Sequence, residues 1–418
     1  MKSVLGKRQF RGWRSAQHGS GAVDAVLGLV GDIFIDRANP SAVFEDVVEE
    51  LHAVDLLFGN LEGVYADDPH FAPTAGLPVY AAPTNAVALG PAGFRVMSMA
   101  NNHIGDCGHS AMLQTQRLLK EQGIATCGVG IDLDHARSPA VAFAGPYRVA
   151  VLAFASVFPH GYEARPGFPG LSAIRTRDYF ESTVVNHHLP GTIPIIRTEE
   201  YAEDVSAMQA ALAKARETAD IVVASFHWGD WTRAAHITEH ERRLARLAID
   251  AGADVVAGHH HHALRGLEFY QERPIFYGLG HFVFDLPNLI SRARAIARDD
   301  NLMPQVPDDD ETTYGLAPRK GWPYLPMHPD MRLSMLAWVQ IRDGRPDGVG
   351  FVPCRLQPDG RIRPFDPESV EGASVVDFVR SVCKREALPV VIEPTSGINV
   401  GRFRTARIRA VDEGNFCN

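Results

Sequence analysis

The chain has 418 residues, 45% of them apolar and 22% charged, and a formal net charge of −9. That is the composition of a soluble globular protein, neither fibrous nor disordered, and the length suits two or three domains or one elaborated α/β domain. Fifty acidic against 41 basic side chains exclude a nucleic-acid partner as an expectation, because neutralising phosphates needs basic surface.

Residues 1–21 read as a loose basic arm. The apolar stretch Ala22–Val30 contains Asp24 and is too short to span a bilayer, so a cytoplasmic chain with no membrane partner is expected. The five cysteines, Cys107, Cys127, Cys354, Cys383 and Cys417, include no CxxC pair, which argues against a disulfide framework and against a cysteine zinc site. Nothing in the sequence fixes an oligomeric state.

From Val23 onward, β-rich runs alternate with helical ones. VLGLVGDIFI predicts a strand ending at Gly31-Asp32. SAVFEDVVEELHAVDLLF predicts a helix feeding a second strand that ends near GNLEG, and FRVMSMANNH predicts a third strand closed by an Asn-Asn-His loop. The helix HSAMLQTQRLLKEQG follows, then the strands YRVAVLAFAS and ADIVVASFHWG, the helix EHERRLARLAIDAG and the strand ADVVAGHHHH. Repeated strand–loop–helix units imply an α/β fold, with helices packed on a sheet. Two insertions, near 158–196 and 286–329, are rich in Pro, Gly and aromatics; the second holds the acidic run Asp308–Glu311. Long irregular stretches in a compact domain are usually lids or binding loops. MLAWVQIRDG…GVGFVPCRLQPDG predicts a hairpin, and residues 369–418 form a C-terminal extension with the helix VVDFVRSVCKREA. The main domain spans 22–368.

The polar residues with chemical potential share one position: each follows a strand. Asp32, then Asn60 and Glu62, then Asn101, Asn102, His103 and Asp106, then His227, His259–His262 and His281 all fall there. In open α/β sheets, ligands collect outside the carboxyl ends of strands, and carboxylate, amide and imidazole groups together suit a divalent cation. Each residue alone has a plainer explanation. Gly-Asp is often a capping turn, Asn-Asn often forms Asx turns, and His227 between Phe and Trp suits a core histidine. In an extended chain neighbours point to opposite faces, so only His260 with His262, or His259 with His261, should share a target.

The linked motifs GD, GNLEG, ANNHIGDCG and HWGDW…ERRLARLAIDAGADVVAGHHHHALRGLEFYQERPIFYGLGHFVFD resemble the CapA family of capsule and poly-γ-glutamate biosynthesis proteins, from about Gly31 to Asp285. The resemblance implies the calcineurin-like metallophosphoesterase superfamily and its four-layer α/β/β/α sandwich. It also implies metal ligands at Asp32, Glu62, Asn102, His227, His260 and His262, with His103 as acid/base and Asp106 orienting it. The chain departs from the superfamily pattern at Asp32 and at Glu62, which replaces the usual bridging Asp, and from the family pattern at two further places. Asp32 is followed by Ile33-Phe34 instead of the usual Asp-x-His, and His261 and His281 stand where Pro and Asn are usual. With one ligand missing, a tight two-metal site is doubtful, and a single Ca²⁺ is favoured over Mn²⁺ or Zn²⁺.

Three functions follow as expectations. The resemblance narrows to the lasso-peptide epimerases, which invert the C-terminal Cα of a precursor peptide. Such chemistry needs one base on each face of the carbon, here His103 with Asp106 on one side, and His227 (with Asp230) or His281 on the other. Arg165, Arg233 and Arg265 are candidates to hold the peptide carboxylate. The alternative is a CapA-like metallophosphoesterase or amide hydrolase acting on a phosphoester or a poly-γ-glutamate-type substrate. The third is a metal-stabilised binder of anionic polymer without turnover.

Overall fold

The structure, a computed structural model, describes residues 24–181, 194–287, 314–315, 319–395 and 397–411. The expected N-terminal arm, the run Asp308–Glu311 and Cys417 lie outside the described residues.

Two sheets dominate. In the larger, ten-stranded sheet, β1 (Ala25–Phe34), β2 (Leu56–Leu61), β3 (Phe94–Ser98) and β4 (Ala125–Cys127) are neighbours in that order and run parallel. The smaller sheet has six strands: β5 (Ala140–Ala144), β6 (Tyr147–Ala155), β7 (Ile221–His227), β8 (Val255–His259), β9 (Leu267–Tyr270) and β10 (Arg273–Phe276). Its central strands β6, β7 and β8 are also parallel. The larger sheet is completed by β11 (His281–Phe284), β12 (Leu333–Arg342), β13 (Arg345–Leu356), β14 (Ile362–Pro364), β15 (Val390–Glu393) and β16 (Ala406–Ala410). The last two come from the C-terminal extension, so that segment builds the same sheet as β1.

The sheets pack face to face: β1 touches β8, β5 lies against β1 to β4, and β6 meets β3 and β4. Every position of β1 and β7 is buried. Such continuous apolar runs, without polar alternation, are what strands covered on both faces require. Helix α1 (Gly108–Glu121) packs on β4, α2 (Ala202–Arg216) on β6 and β7, α3 (Glu239–Asp250) on β8, and α4 (Val370–Arg385) on β13 and β15. α3 buries Leu244, Ala245, Ala248 and Ile249 at helical spacing. It opens on a capping box, in which Thr238 and Glu241 each accept a backbone N–H of the other.

Three expectations change. SAVFEDVVEELHAVDLLF does not make one helix: it gives a 3₁₀ turn at Pro40–Phe44 and a single α-turn at Val48–Leu51. Pro40 fits only the start of a helix, and the β-branched valines after it favour helix weakly. The first strand does not end at Asp32 but runs to Phe34, with a register shift between Asp32 and Ile33. Part of the first insertion is ordered as an antiparallel ribbon, Thr176–Glu181 with Ile195–Glu200, while residues 182–193 lie outside the described set.

Register aligns the strand ends. Asp32 pairs with Asn60 on one side and His281 on the other, while His227 pairs with Ala155 and His259. Gly31 permits the approach of β11, since a Cβ there would stand 1.9 Å from the Gly280 carbonyl oxygen. Among the described residues Cys107, Cys127, Cys354 and Cys383 are buried free thiols, and no helix is long and apolar enough to cross a membrane.

Candidate metal centre

The carboxyl ends of both sheets meet at one cluster of carboxylates and imidazoles. Two sets of three residues each bring their donor atoms within 4.8 Å of one another inside the set: Asp32, His262 and His281 form one, and Glu62, His227 and His260 the other. Glu62 borders both, with its Oε1 3.7 Å from His227 Nε2 and 3.9 Å from His262 Nε2. All six residues are buried. The larger sheet supplies Asp32, Glu62 and His281; the smaller supplies His227, His260 and His262.

Several buried polar atoms in and beside these sets have no hydrogen-bond partner: both carboxylate oxygens of Glu62, Nε2 of His259 and Nδ1 of His260. Unpaired buried polar atoms cost free energy, and charged ones cost more, so a convergent set of them is the signature of a site completed by a cation. Burial, with the Asp32 charge beside it, pushes the Glu62 carboxyl well above its ordinary range. Burial would also raise Asp32, but His259 and His262 alongside hold it well below the usual carboxylate range. Burial lowers His227, His260, His262 and His281, which keeps these imidazoles neutral, the form that ligates metals. The residues present therefore fit divalent cations.

Around this cluster, amides fix orientation. Asn60 Nδ2 donates to Asp32 Oδ1 (2.9 Å), and Asn101 Nδ2 donates to the Leu61 carbonyl (2.7 Å). Asn102, expected as a metal ligand, borders the second set, with its Oδ1 2.7 Å from His227 Nε2. His103 lies at the rim: its side chain is 17% exposed, its Nδ1 is 2.8 Å from Asp106 Oδ2, and its Nε2 points toward Glu62 Oε1 at 4.0 Å. Asp106 is pinned by the Tyr162 hydroxyl (2.8 Å) and the Val79 N–H (2.8 Å). Tyr162 was missed by sequence reasoning; its only signal was its place in an aromatic, Pro/Gly-rich stretch.

The histidine run departs from the alternation expected of an extended chain. His260 and His262 adopt positive φ, 92° and 59°, which turns the backbone so that the rings of His259 and His262 and the backbone N–H of His260 face Asp32. His259 Nδ1 is 3.3 Å from Asp32 Oδ1, the His260 N–H is 3.4 Å from Oδ2, and His262 Nδ1 is 3.6 Å from Oδ2. His261 points away, with its Nε2 2.8 Å from Glu241 Oε1, so the capping-box glutamate of α3 also anchors the loop.

The other expected site residues lie as follows. Asp230 does not orient His227; its Oδ1 accepts from the Thr232 N–H (2.9 Å) and hydroxyl (2.6 Å), closing a local turn. His281, a candidate second base, stands deep in the sheet. It is fully buried, with its Nε2 2.7 Å from His262 Nδ1, because its pairing with Asp32 fixes it inside the sheet. Arg265 is buried and donates to the carbonyls of Asp230 (3.1 Å) and Arg233 (2.9 Å), whereas Arg165 lies over the Phe168 ring.

Residues 17–286 match the family described as Bacterial capsule synthesis protein PGA_cap. The chain belongs to that family. The PGA_cap match ends just past β11 and so contains every residue of the cluster. An uncharacterized protein of Sinorhizobium fredii, y4uA, is 32% identical over 317 residues, covering 64% of this chain and 68% of its own. The capsule biosynthesis protein CapA of Bacillus anthracis is 29% identical, over 62% of this chain and 59% of its own. The PGA biosynthesis protein CapA of Bacillus subtilis is 26% identical, over 63% of this chain and 62% of its own.

Proposed function

We propose that this chain is a CapA-like metal-dependent hydrolase with two adjacent cation sites, acting on a phosphoester or amide bond of an anionic, poly-γ-glutamate-type substrate. One observation carries the reading: two three-residue donor sets lie side by side, with the orphaned Glu62 carboxylate in one and its Oε1 3.9 Å from His262 Nε2 of the other. Two facing sheets flanked by helices support the calcineurin-like sandwich as its scaffold. His281 supplies an imidazole beside Asp32, where the superfamily's Asp-x-His would have done so. Six donors, four of them imidazoles, favour Mn²⁺ or Zn²⁺ over the Ca²⁺ expected from sequence, since calcium takes oxygen ligands almost exclusively.

Bound there, the ions would supply Lewis acidity toward a phosphoryl or carbonyl oxygen and a more acidic water. The chain's own part is proton handling and alignment. Asp106 holds His103 with Nδ1–H toward the carboxylate, so that the imidazolium form can give its Nε2 proton to the departing group and return to the neutral ring. Tyr162 and Val79 keep Asp106 in place, and Asn60 and Asn102 fix Asp32 and His227. Burial of the cluster raises the strength of every charge interaction in it.

An epimerase needs a second base opposite His103, and the two histidines considered for that role belong to the buried donor sets. The reading is tested with the chain loaded with Mn²⁺ or Zn²⁺, offered an aryl phosphodiester and a γ-glutamyl amide. Turnover should depend on the ion, and His103→Ala should lower kcat by about 10²–10⁴-fold with its metal content unchanged. No turnover of either substrate class by the loaded chain would overturn it. Deuterium gained at Cα of a peptide in D₂O, without cleavage, would restore the epimerase.

A further inference from the structure

Beside the metal ligands, a serine, a histidine and a glutamate form a hydrogen-bonded chain that the proposed hydrolysis does not use. Ser156 follows the carboxyl end of β6, and its N–H donates to the His227 carbonyl at 3.0 Å, which fixes it against the next strand. Its Oγ is 2.8 Å from His240 Nε2, and His240 Nδ1 is 2.5 Å from Glu200 Oε1. His240 is the second residue of α3 and 7% exposed; the capping box holds its backbone. Glu200 closes the ribbon strand Ile195–Glu200, and Arg243, one turn along α3, donates to its Oε2 (2.9 Å) and Oε1 (2.7 Å). Ser156 itself is only half-buried.

The order of these groups matters more than their proximity. A carboxylate accepting the Nδ1–H sets the tautomer, so the Nε2 lone pair faces the serine hydroxyl, which is the arrangement that activates a serine nucleophile. Arg243 keeps the glutamate ionised. The three residues come from a strand end, a ribbon and a helix, so the alignment is a product of the tertiary fold.

We propose that Ser156, His240 and Glu200 form a second, metal-independent acyl-transfer site that takes an ester or reactive amide of a carboxylic acid. Ser156 Oγ bonds to the acyl carbon as its proton passes to His240 Nε2. That proton is delivered to the departing alcohol or amine as its bond to the acyl carbon breaks, and water then releases the acid and restores the serine. This goes beyond the metal-dependent reading and does not rest on it.

The test uses the full chain in excess chelator with a fluorophosphonate, which forms an Oγ–P bond as fluoride leaves, read by intact mass and peptide mapping. One adduct is expected, on the peptide holding Ser156. Ser156→Ala should remove it, and His240→Gln should slow its formation by about 100-fold or more, with circular dichroism confirming the fold. Absence of an adduct at Ser156 in the folded parent, or equal labelling rates in parent and His240→Gln, would overturn the proposal. Should His240→Gln not fold, comparing native with unfolded parent makes the same distinction: labelling that survives unfolding overturns it.

Discussion

Glu62 places a carboxylate in a fully buried position where neither oxygen has a hydrogen-bond partner. Glu62→Gln removes that charge, so without metal the variant should be as stable as the parent or more stable by about 1–3 kcal/mol. It should also lose the stabilisation that added Mn²⁺ or Zn²⁺ gives the parent. Denaturant midpoints with and without the ion check both; a variant destabilised in chelator would mean that Glu62 has a protein partner after all. His281 is the neighbouring case. If it serves the set with Asp32 and His262, His281→Asn should bind one ion where the parent binds two, as read by metal analysis after dialysis. These residues were legible in the sequence because each follows a β-rich run. Their division into two sets was not, since it depends on pairing between Asp32 and His281, which lie far apart in the chain.

At the scale of elements, the ribbon strand Ile195–Glu200 is fastened to α3 through Glu200, and that fastening depends on pH. Burial would raise the Glu200 carboxyl, but His240 and Arg243 bring it down from 4.5 to about 2. The folded chain therefore keeps this charge at acidities where the unfolded chain has taken up a proton. The contribution is fully present above about 4.5 and is lost as pH falls through about 2. Glu200→Gln should cost about 1–3 kcal/mol at neutral pH, discounted for partial exposure, and parent and variant should converge toward pH 2. Urea titrations at a series of pH values read the difference; parallel curves across the acid range would rule the pairing out. Most long elements were readable: α1, α3 and α4 and the strands β1, β3, β6, β7 and β8 follow strong helical or β-rich patterns. The stretch after Ile35 misled because an apolar, acidic run resembles a helix until Pro40 and its valines are weighed. The short strands β5, β9, β10 and β11 were missed because they are defined by their neighbours more than by their own residues.

Across the whole molecule, the candidate metal centre bridges the two sheets: Asp32, Glu62 and His281 come from one and His227, His260 and His262 from the other. A cation held by both is a cross-link, and ligand present at 1,000 times its dissociation constant would add about 4 kcal/mol per site. Stripping the ions should lower Tm and speed amide exchange first at the carboxyl ends of β1 and β8, as followed by mass spectrometry. Unchanged exchange there would mean that the sheets are joined by packing alone. The α/β class could be read from the alternation of runs, but the split into two facing sheets, and the return of the C-terminal strands to the first, could not, because long-range pairing leaves no local trace. The left-handed backbone at His260 and His262 sets two demands against each other. Glycine would relax the chain at those positions but would carry no imidazole. Variants selected for heat tolerance alone should drift toward glycine at 260 and 262, whereas selection for turnover should hold histidine there, so endurance and activity would trade off at these two positions.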